Sequence, residues 1–442
     1  MLRKKRWLTG IALSLFLVGM IGSAALAGVK AIRFMTEETD PKTVENDRLL
    51  IAEFEKKYPD VKVFPEYVSV EDITTKVFSM TAAGINPDLL YTGSDNTYKL
   101  YEMGALLPVD DVIKDLGDIP QNFLDVVNYD GHIYAVPIQS GGQFIWFRKD
   151  WFIEKGLTAP RTWGDMLKAA EALTDKANGV YGIGLVGLST WHNQANYIQR
   201  MWCSGGYFFD EQNRIALSTK YRKEALKTLA YEQALSKFAP PGFIGHGYME
   251  GRMGFVQGKT AMHMTSGRTP ADILRTNLEL DEPNVVGMAA PPIPDEGGNH
   301  VMWDGADMWT IATNSKYPDV CKNFVREFMS GESYIRFLLT VPFHLWPTRT
   351  SYGTDPRFIG DPLLTKHPDW VKLLKDTLAT RVDFSMEHPG VFNERFGECL
   401  GSRVMGDAIN AFFAGKISAE QVLDETAEGW QDITDFELAP AD

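Results

Sequence analysis

Apolar positions along the chain switch repeatedly between a period near two and a period near 3.6, the marks of strands and helices. "VKAIRFM" predicts a first strand. In "TVENDRLLIAEFEKKYPDVKVFPEYV", Leu49, Leu50, Phe54 and Tyr58 recur near helical spacing, and Pro59 stops the helix before the β-rich "VKVFPEYV". Strand, helix and strand in that order predict a βαβ unit in a mixed or parallel sheet. "INPDLLYTGSDNTYKLYEMGALLPVDDVI" repeats the pattern with a buried strand, a polar loop and a helix from about Asn96 to Met103. Ligands of such sheets gather beyond the carboxyl ends of the strands, where the loops "TEETDP" and "GSDN" would both sit.

Further along, a strand "IYAVPI" runs into Gln139-Ser140-Gly141-Gly142 and resumes as "QFIWFRKD". A Gly-Gly interruption within extended chain predicts a bend or a crossing. "TWGDMLKAAEALTD" predicts a helix with Thr162 and Asp165 as reciprocal caps and Trp163, Met166, Leu167, Ala170 and Leu173 on its apolar face. The C-terminal region reads as mainly helical, with a second capping box at Ser418 and Gln421 flanked by Ile417 and Val422. No internal repeat or low-complexity linker is visible.

Composition bears first on the N-terminus. Arg3, Lys4, Lys5 and Arg6 precede an apolar run from Trp7 to about Met20, and Ala25-Leu26-Ala27 closes it, which predicts a secretory signal peptide cleaved after Ala27. The apolar core falls short of the roughly 20 residues that span a bilayer, which disfavours a retained anchor. No Cys follows the small residues, so a soluble periplasmic protein is expected rather than a lipid-tethered one. Residues 1–27 hold four of the 44 basic residues and no acidic one, so the remainder carries 40 basic against 58 acidic residues, a net −18. That field repels nucleic acid and anionic lipid. Cys203, Cys321 and Cys399 are far apart, lack metal-ligand spacing, and read as buried apolar residues with at most one bridge.

Several of these segments together resemble the sugar-binding extracellular solute-binding proteins of ABC importers, a family that includes maltose-binding protein. They are "FEKKYPDVKV", "NPDLLYTGSDNTYKLYEMGALLPVDDVI", "DGHIYAVPIQSGG" with "WFRKDWFIEKGL", "PRTWGDMLKAAEALT", "YGIGL", "FVQGKTAMHMTSG" and "TIATNSKYPDVCKNFVREFMSG". The resemblance implies an α/β fold of two lobes with the ligand between them and closure by hinge bending. It implies a first lobe of residues 28–139 plus about 262–313, and a second of about 140–261 plus about 314–442 with the C-terminal helices. It also implies that "GKTAMHMTSG" carries a helix of one lobe into a strand of the other, and that the turn Ser266, Gly267 and Arg268 faces the cleft. The expected partners are a small carbohydrate and the importer's permease subunits; a monomer without cofactor or metal is expected.

A sugar presents apolar C–H faces and a rim of hydroxyls, so its site needs aromatic platforms and paired donors and acceptors. Trp191, Trp202, Trp303 and Trp346 stand in or beside loops with polar neighbours, which makes them candidate platforms, although each alone fits a core as well. Polar candidates are Glu38 after the first strand, with Glu37 and Asp40 beside it, and Asp95 and Asn96 in "GSDN", where Asp95 could equally cap a helix. Gln139, Asp304, Asp307 and Arg349 complete the set. Where many relatives carry Tyr-Asn-Lys-Asp, this chain has Phe147-Arg148-Lys149-Asp150. Arg148, Arg268 and Arg349 therefore either form a cationic cluster suited to an anionic sugar or pair with Asp304, Asp307 or Glu387.

Catalytic patterns are sparse. "GIGLVG" satisfies G-x-G-x-x-G, but a helix and a polar loop precede it and its glycines fall inside extended chain, unlike a dinucleotide site. No H-E-x-x-H, G-x-S-x-G or phosphate-binding loop occurs. Two alternatives stay open at this level: a periplasmic glycoside hydrolase or lyase using Asp304, Asp307 or Glu394, and a ligand-sensing receptor module of the same fold.

Overall fold

The computed structural model describes residues 28–441; the predicted signal peptide lies outside them. Six strands form one sheet in the order Trp346–Pro347, Val136–Ser140, Asp307–Ile311, Leu89–Gly93, Lys30–Thr36, Val61–Tyr67. Lys30–Thr36 runs parallel to both of its neighbours, whereas Asp307–Ile311 runs antiparallel to Leu89–Gly93 and Val136–Ser140, so the sheet is mixed. The predicted βαβ unit is present. Its helix, Pro41–Lys57, begins where the Asp40 side chain accepts from the Lys42 amide at 3.0 Å, and it buries Leu50, Ile51 and Phe54. Leu49 is exposed, because a step of about 100° from Leu50 turns it off the buried stripe.

The Gly-Gly interruption is a crossing. Val136–Ser140 belongs to the six-stranded sheet, and Gln143–Arg148 is the central strand of a second, antiparallel sheet between Met262–Ser266 and Val286–Ala289. A β-carbon at Gly141 would lie 2.5 Å from the His344 carbonyl oxygen, and one at Gly142 would lie 2.6 Å from the Met302 sulfur. The strand beyond is apolar on both faces. Phe144 and Trp146 join the core shared with the first sheet, with Trp146 edge-on to Trp370 at 5.0 Å; Ile145 and Phe147 enter a second core with Trp163, Met166 and Ile183. A third core joins helix Trp191–Cys203 to Arg222–Ser236, Val404–Phe413 and Ala419–Thr434. Both predicted capping boxes form.

Backbone pairing departs from the expected lobe boundaries. Met262–Ser266 and Val286–Ala289, expected in the first lobe, pair with Gln143–Arg148 in the second sheet. Helices Pro318–Phe328 and Gly331–Leu338, expected in the second lobe, pack on the first sheet, the former through Phe324 and Phe328 on Phe34 and Trp309 and the latter through Phe337 on Tyr91. Helix Tyr248–Val256 packs on the strand that follows it, so that stretch stays within one lobe. Alternation shows that a segment is a strand but not which sheet edge its backbone will join.

Gly267 has a packing role instead of the expected place in the cleft: a β-carbon there would lie 1.8 Å from the Phe343 carbonyl oxygen. In "GIGLVG", Gly184 bridges to His263, and a β-carbon on Gly182 would lie 2.1 Å from the Ala170 carbonyl, so close packing accounts for these glycines. All three cysteines are buried and unbridged. Among the described residues, no helix is long and apolar enough to cross a membrane. Gly267→Ala is expected to cost about 1–3 kcal/mol through overpacking, read as a fall in urea midpoint; an unchanged midpoint would show that the 343–344 backbone yields freely.

Candidate functional site

Between the lobes lies a cleft of about 650 Å³, within the range of about 300–1,000 Å³ usual for small-molecule sites. The first sheet supplies its floor from strand ends, as the loop positions predict. After Lys30–Thr36 come Glu37 and Glu38; the Glu38 amide donates to Thr36 Oγ1 at 3.0 Å, and its carboxylate is buried. After Leu89–Gly93 comes helix Ser94–Glu102, capped at Gly93 with no side-chain bond, so Asp95 is free of the capping role. Asn96 donates to Thr92 Oγ1 at 2.9 Å. Asp307 enters on the antiparallel strand opposite Gly93 and Gln139, and accepts from Gln139 Nε2 and from the Tyr91 hydroxyl at 3.2 Å.

The other wall is aromatic and comes largely from helix starts and loops. Trp191 opens helix Trp191–Cys203 and donates its indole N–H to Asp95 Oδ2 at 3.1 Å, a bond across the cleft. Trp303 lies edge-on to Trp191 at 4.9 Å and stacks on Phe384 at 4.9 Å, so the buried Phe384 backs two indoles that line the cleft. His192 stacks on Tyr248 with centroids 3.8 Å apart and has Nδ1 3.1 Å from Glu71 Oε1. Tyr248 and Ser266 share a hydroxyl contact of 2.9 Å.

Burial governs the charges. It pushes Asp307 up to about 7, with the Glu38 charge adding to it, and Asp95 up to about 6 against the indole bond from Trp191. Glu37 is raised well above the usual carboxyl range by burial and then by Asp307, Asp95 and Glu38. Burial works against the charge on Arg268, but Glu38, to which it donates, together with Tyr248 and Tyr91 holds the guanidinium above its ordinary value. Burial, then Arg268 and Arg252, hold His344 well below its ordinary value, so it is neutral.

The cleft thus gathers Glu38, Asp95, Asn96, Gln139, Trp191, Ser266, Arg268, Trp303 and Asp307. Other candidates lie elsewhere. Trp202 is fully buried and donates to Glu387 at 2.6 Å, because the third core needs its bulk. Trp346 packs on Phe358 under Lys375. Asp304 is enclosed by Ser140, the Gly141 amide at 2.8 Å and Arg381 at 3.4 Å. Arg349 is tied to Asp118 at 2.5 Å and to two backbone carbonyls, and Arg148 to Asp150 and the Trp151 face. No triple-arginine cluster forms, and the pairs are not those expected with Asp304, Asp307 or Glu387. Nor do the hydrolase carboxyls converge, since Glu394 accepts from Tyr98 while Asp304 is enclosed. Sequence reasoning missed Gln143, Tyr248, Arg252 and His344, which also line the cleft; only Gln143, polar at the head of an apolar strand, carried a visible signal.

Comparison with known proteins accords with this architecture: residues 41–339 match the model for bacterial extracellular solute-binding proteins. The chain belongs to that family. Over 430 residues it is 26% identical to a putative ABC transporter periplasmic-binding protein, YcjN, of Escherichia coli K12, covering 92% of this chain and 95% of that one. A mannitol-binding protein of Pseudomonas aeruginosa is 26% identical over 282 residues, 61% of this chain and 63% of its own. Among solved structures, a solute-binding protein of Agrobacterium radiobacter K84 in complex with ribitol superposes with TM-score 0.78 at 21% identity, covering 92% and 99% of the two chains. This solute-binding protein therefore has the two-lobed fold.

The raised carboxyls set a pH dependence. A carboxyl whose folded-state pKa lies above its unfolded value contributes stability that is full below the ordinary carboxyl range and is lost as pH rises through the folded value. Asp95, Asp307 and Glu387, the last also pushed up to about 7 by burial, place that loss between about 4 and 7. His192, His263, His344 and His367, held below their ordinary value by burial, act in the opposite sense below about pH 6.5, so the ligand-free protein should show a urea midpoint that falls from about pH 6.5 to pH 8, with a flatter profile in Asp307→Asn. A flat wild-type profile would contradict these shifts.

Proposed function

We propose that this protein is the periplasmic substrate-binding component of an ABC importer, a monomer that holds a carbohydrate or polyol in the interlobe cleft. Lobe closure then presents the loaded form to the permease. The observation that carries the reading is the pair of indoles, Trp191 and Trp303 backed by the buried Phe384, which line one cleft together with carboxyl, amide and guanidinium groups. Such a wall covers the apolar face of a sugar ring while the rim takes its hydroxyls. Relatives add support, since they include a mannitol-binding protein and solute-binding proteins solved in complex with ribitol and D-mannitol.

Mechanistically, the two lobes contribute different groups. Glu38, Asp95 and Asp307 lie at the ends of first-sheet strands or in the turn of chain that follows, and a ligand resting there is held on one side only. Hinge bending at the crossing segments brings Trp191 and Tyr248 against its other face, and the ligand stabilises the closed form by the contacts it makes only there.

A thermal-shift screen with ribitol, mannitol, tagatose and maltose, followed by small-angle scattering, tests this. At 100 times its dissociation constant a true ligand adds about 2.7 kcal/mol and should lower the radius of gyration. Trp191→Ala and Trp303→Ala should weaken binding about tenfold or more, the behaviour of aromatic anchors, while Arg148→Ala and Arg349→Ala leave it unchanged. Full affinity in both tryptophan variants would overturn the platform.

A further inference from the structure

The cleft carries more carboxyls than its cations can neutralise. Arg252 is paired with Asp272 at 2.5 Å, Arg275 with Asp40 at 3.0 Å and with Asp272, and Arg268 with Glu38. Glu37, Asp95 and Asp307 then line the cleft with no ion-pair partner among the described residues. They are neighbours. A methyl placed on Gly93 would meet Asp95 Oδ1 at 2.5 Å and Asp307 Oδ1 at 4.0 Å, so both carboxyls crowd one face of that glycine.

A second observation points the same way. Glu38 Oε2, Glu71 Oε2, Gln139 Oε1 and Gln143 Oε1 are buried atoms of cleft-lining side chains with no hydrogen-bond partner among the described residues, as is the donor Trp303 Nε1. The Gln139 amide nitrogen is engaged with Asp307, which leaves its oxygen as the free end. Acceptors outnumber donors among these vacant positions. Orphaned buried acceptors are costly, and they are relieved by a ligand that brings N–H or O–H donors. A neutral hydroxyl donates one hydrogen and adds no charge; a primary ammonium donates three and neutralises a carboxylate. Trp191 and Trp303 line the cleft with these acceptors, and aromatic rings attract a cation.

We propose that the cleft selects a carbohydrate or polyol bearing a protonated amine, an amino sugar or amino-alditol, with its ammonium received among Glu37, Asp95 and Asp307. The inference rests on the carbohydrate reading above and narrows it. The aromatic platform takes the carbon skeleton, Arg268 and Asn96 are available to hydroxyls, and the ammonium supplies the charge the carboxyls lack.

Matched pairs test it by calorimetry on the purified protein at pH 7: glucose with glucosamine, galactose with galactosamine, mannose with mannosamine, and glucitol with 1-amino-1-deoxyglucitol. At least one aminated member should bind tenfold or more tightly than its neutral parent, and Asp307→Asn should reduce that preference more than it reduces binding of the parent. If neutral sugars or polyols bind and no amine gains over its parent, the amine inference fails while the carbohydrate reading stands. Putrescine and spermidine form a control arm: tighter binding of either than of every aminated sugar overturns the carbohydrate part. No binding by any sugar or polyol to protein that unfolds cooperatively overturns the carbohydrate reading itself.

Discussion

The constraint on which the rest depends is the passage of the chain between two sheets through Gly141 and Gly142. On one side Val136–Ser140 is hydrogen-bonded into the six-stranded sheet, and on the other Gln143–Arg148 is the middle of the three-stranded one. Both are held along their length, so the direction change falls on two residues. The backbone at His344 and the side chain of Met302 press on these positions too closely for a β-carbon. Because Trp146, a few residues beyond, lies in the core shared with the first sheet, the crossing is packed and its geometry is defined. A cleft opens beside it as a consequence: Gln139 before the crossing and Gln143 after it both line the wall.

Charge is the second constraint. Strand ends bring Glu37, Glu38, Asp95 and Asp307 to one place, and burial disfavours Glu37, Asp95 and Asp307 as anions. The protein answers with one close guanidinium, Arg268, and with neutral donors from Tyr91, Gln139 and Trp191. Other arginines that might have served are held away by their own pairs, Arg148 by Asp150 and Arg349 by Asp118. The cleft is therefore acceptor-rich although the chain has arginine enough to balance it.

Close packing explains why several polar or aromatic candidates are structural. Trp202 gives its indole N–H to Glu387, which also accepts the amides of Phe208 and Phe209 and so ties two loops to the third core. Asp304 does the same for the crossing by accepting from Ser140 and the Gly141 amide. A carboxylate that organises backbone amides looks identical, in sequence, to one that waits for a ligand.

Local chemistry was legible in the sequence to the extent that it is local. Helix caps at Thr162 and Ser418, the βαβ order, the Gly-Gly crossing and the loops carrying Glu38 and Asp95 follow from short-range patterns, because caps, periodicity and turn geometry are decided within a few residues. The family segments added the two-lobed architecture. Sheet membership of Met262–Ser266 and Val286–Ala289 was decided only in three dimensions, as was the division of Trp191 and Trp303 from Trp202 and Trp346. The physical reason is the same in each case: pairing edges, burial and ion partners are set by residues tens to hundreds of positions away, and no spacing along the chain encodes which of them arrives.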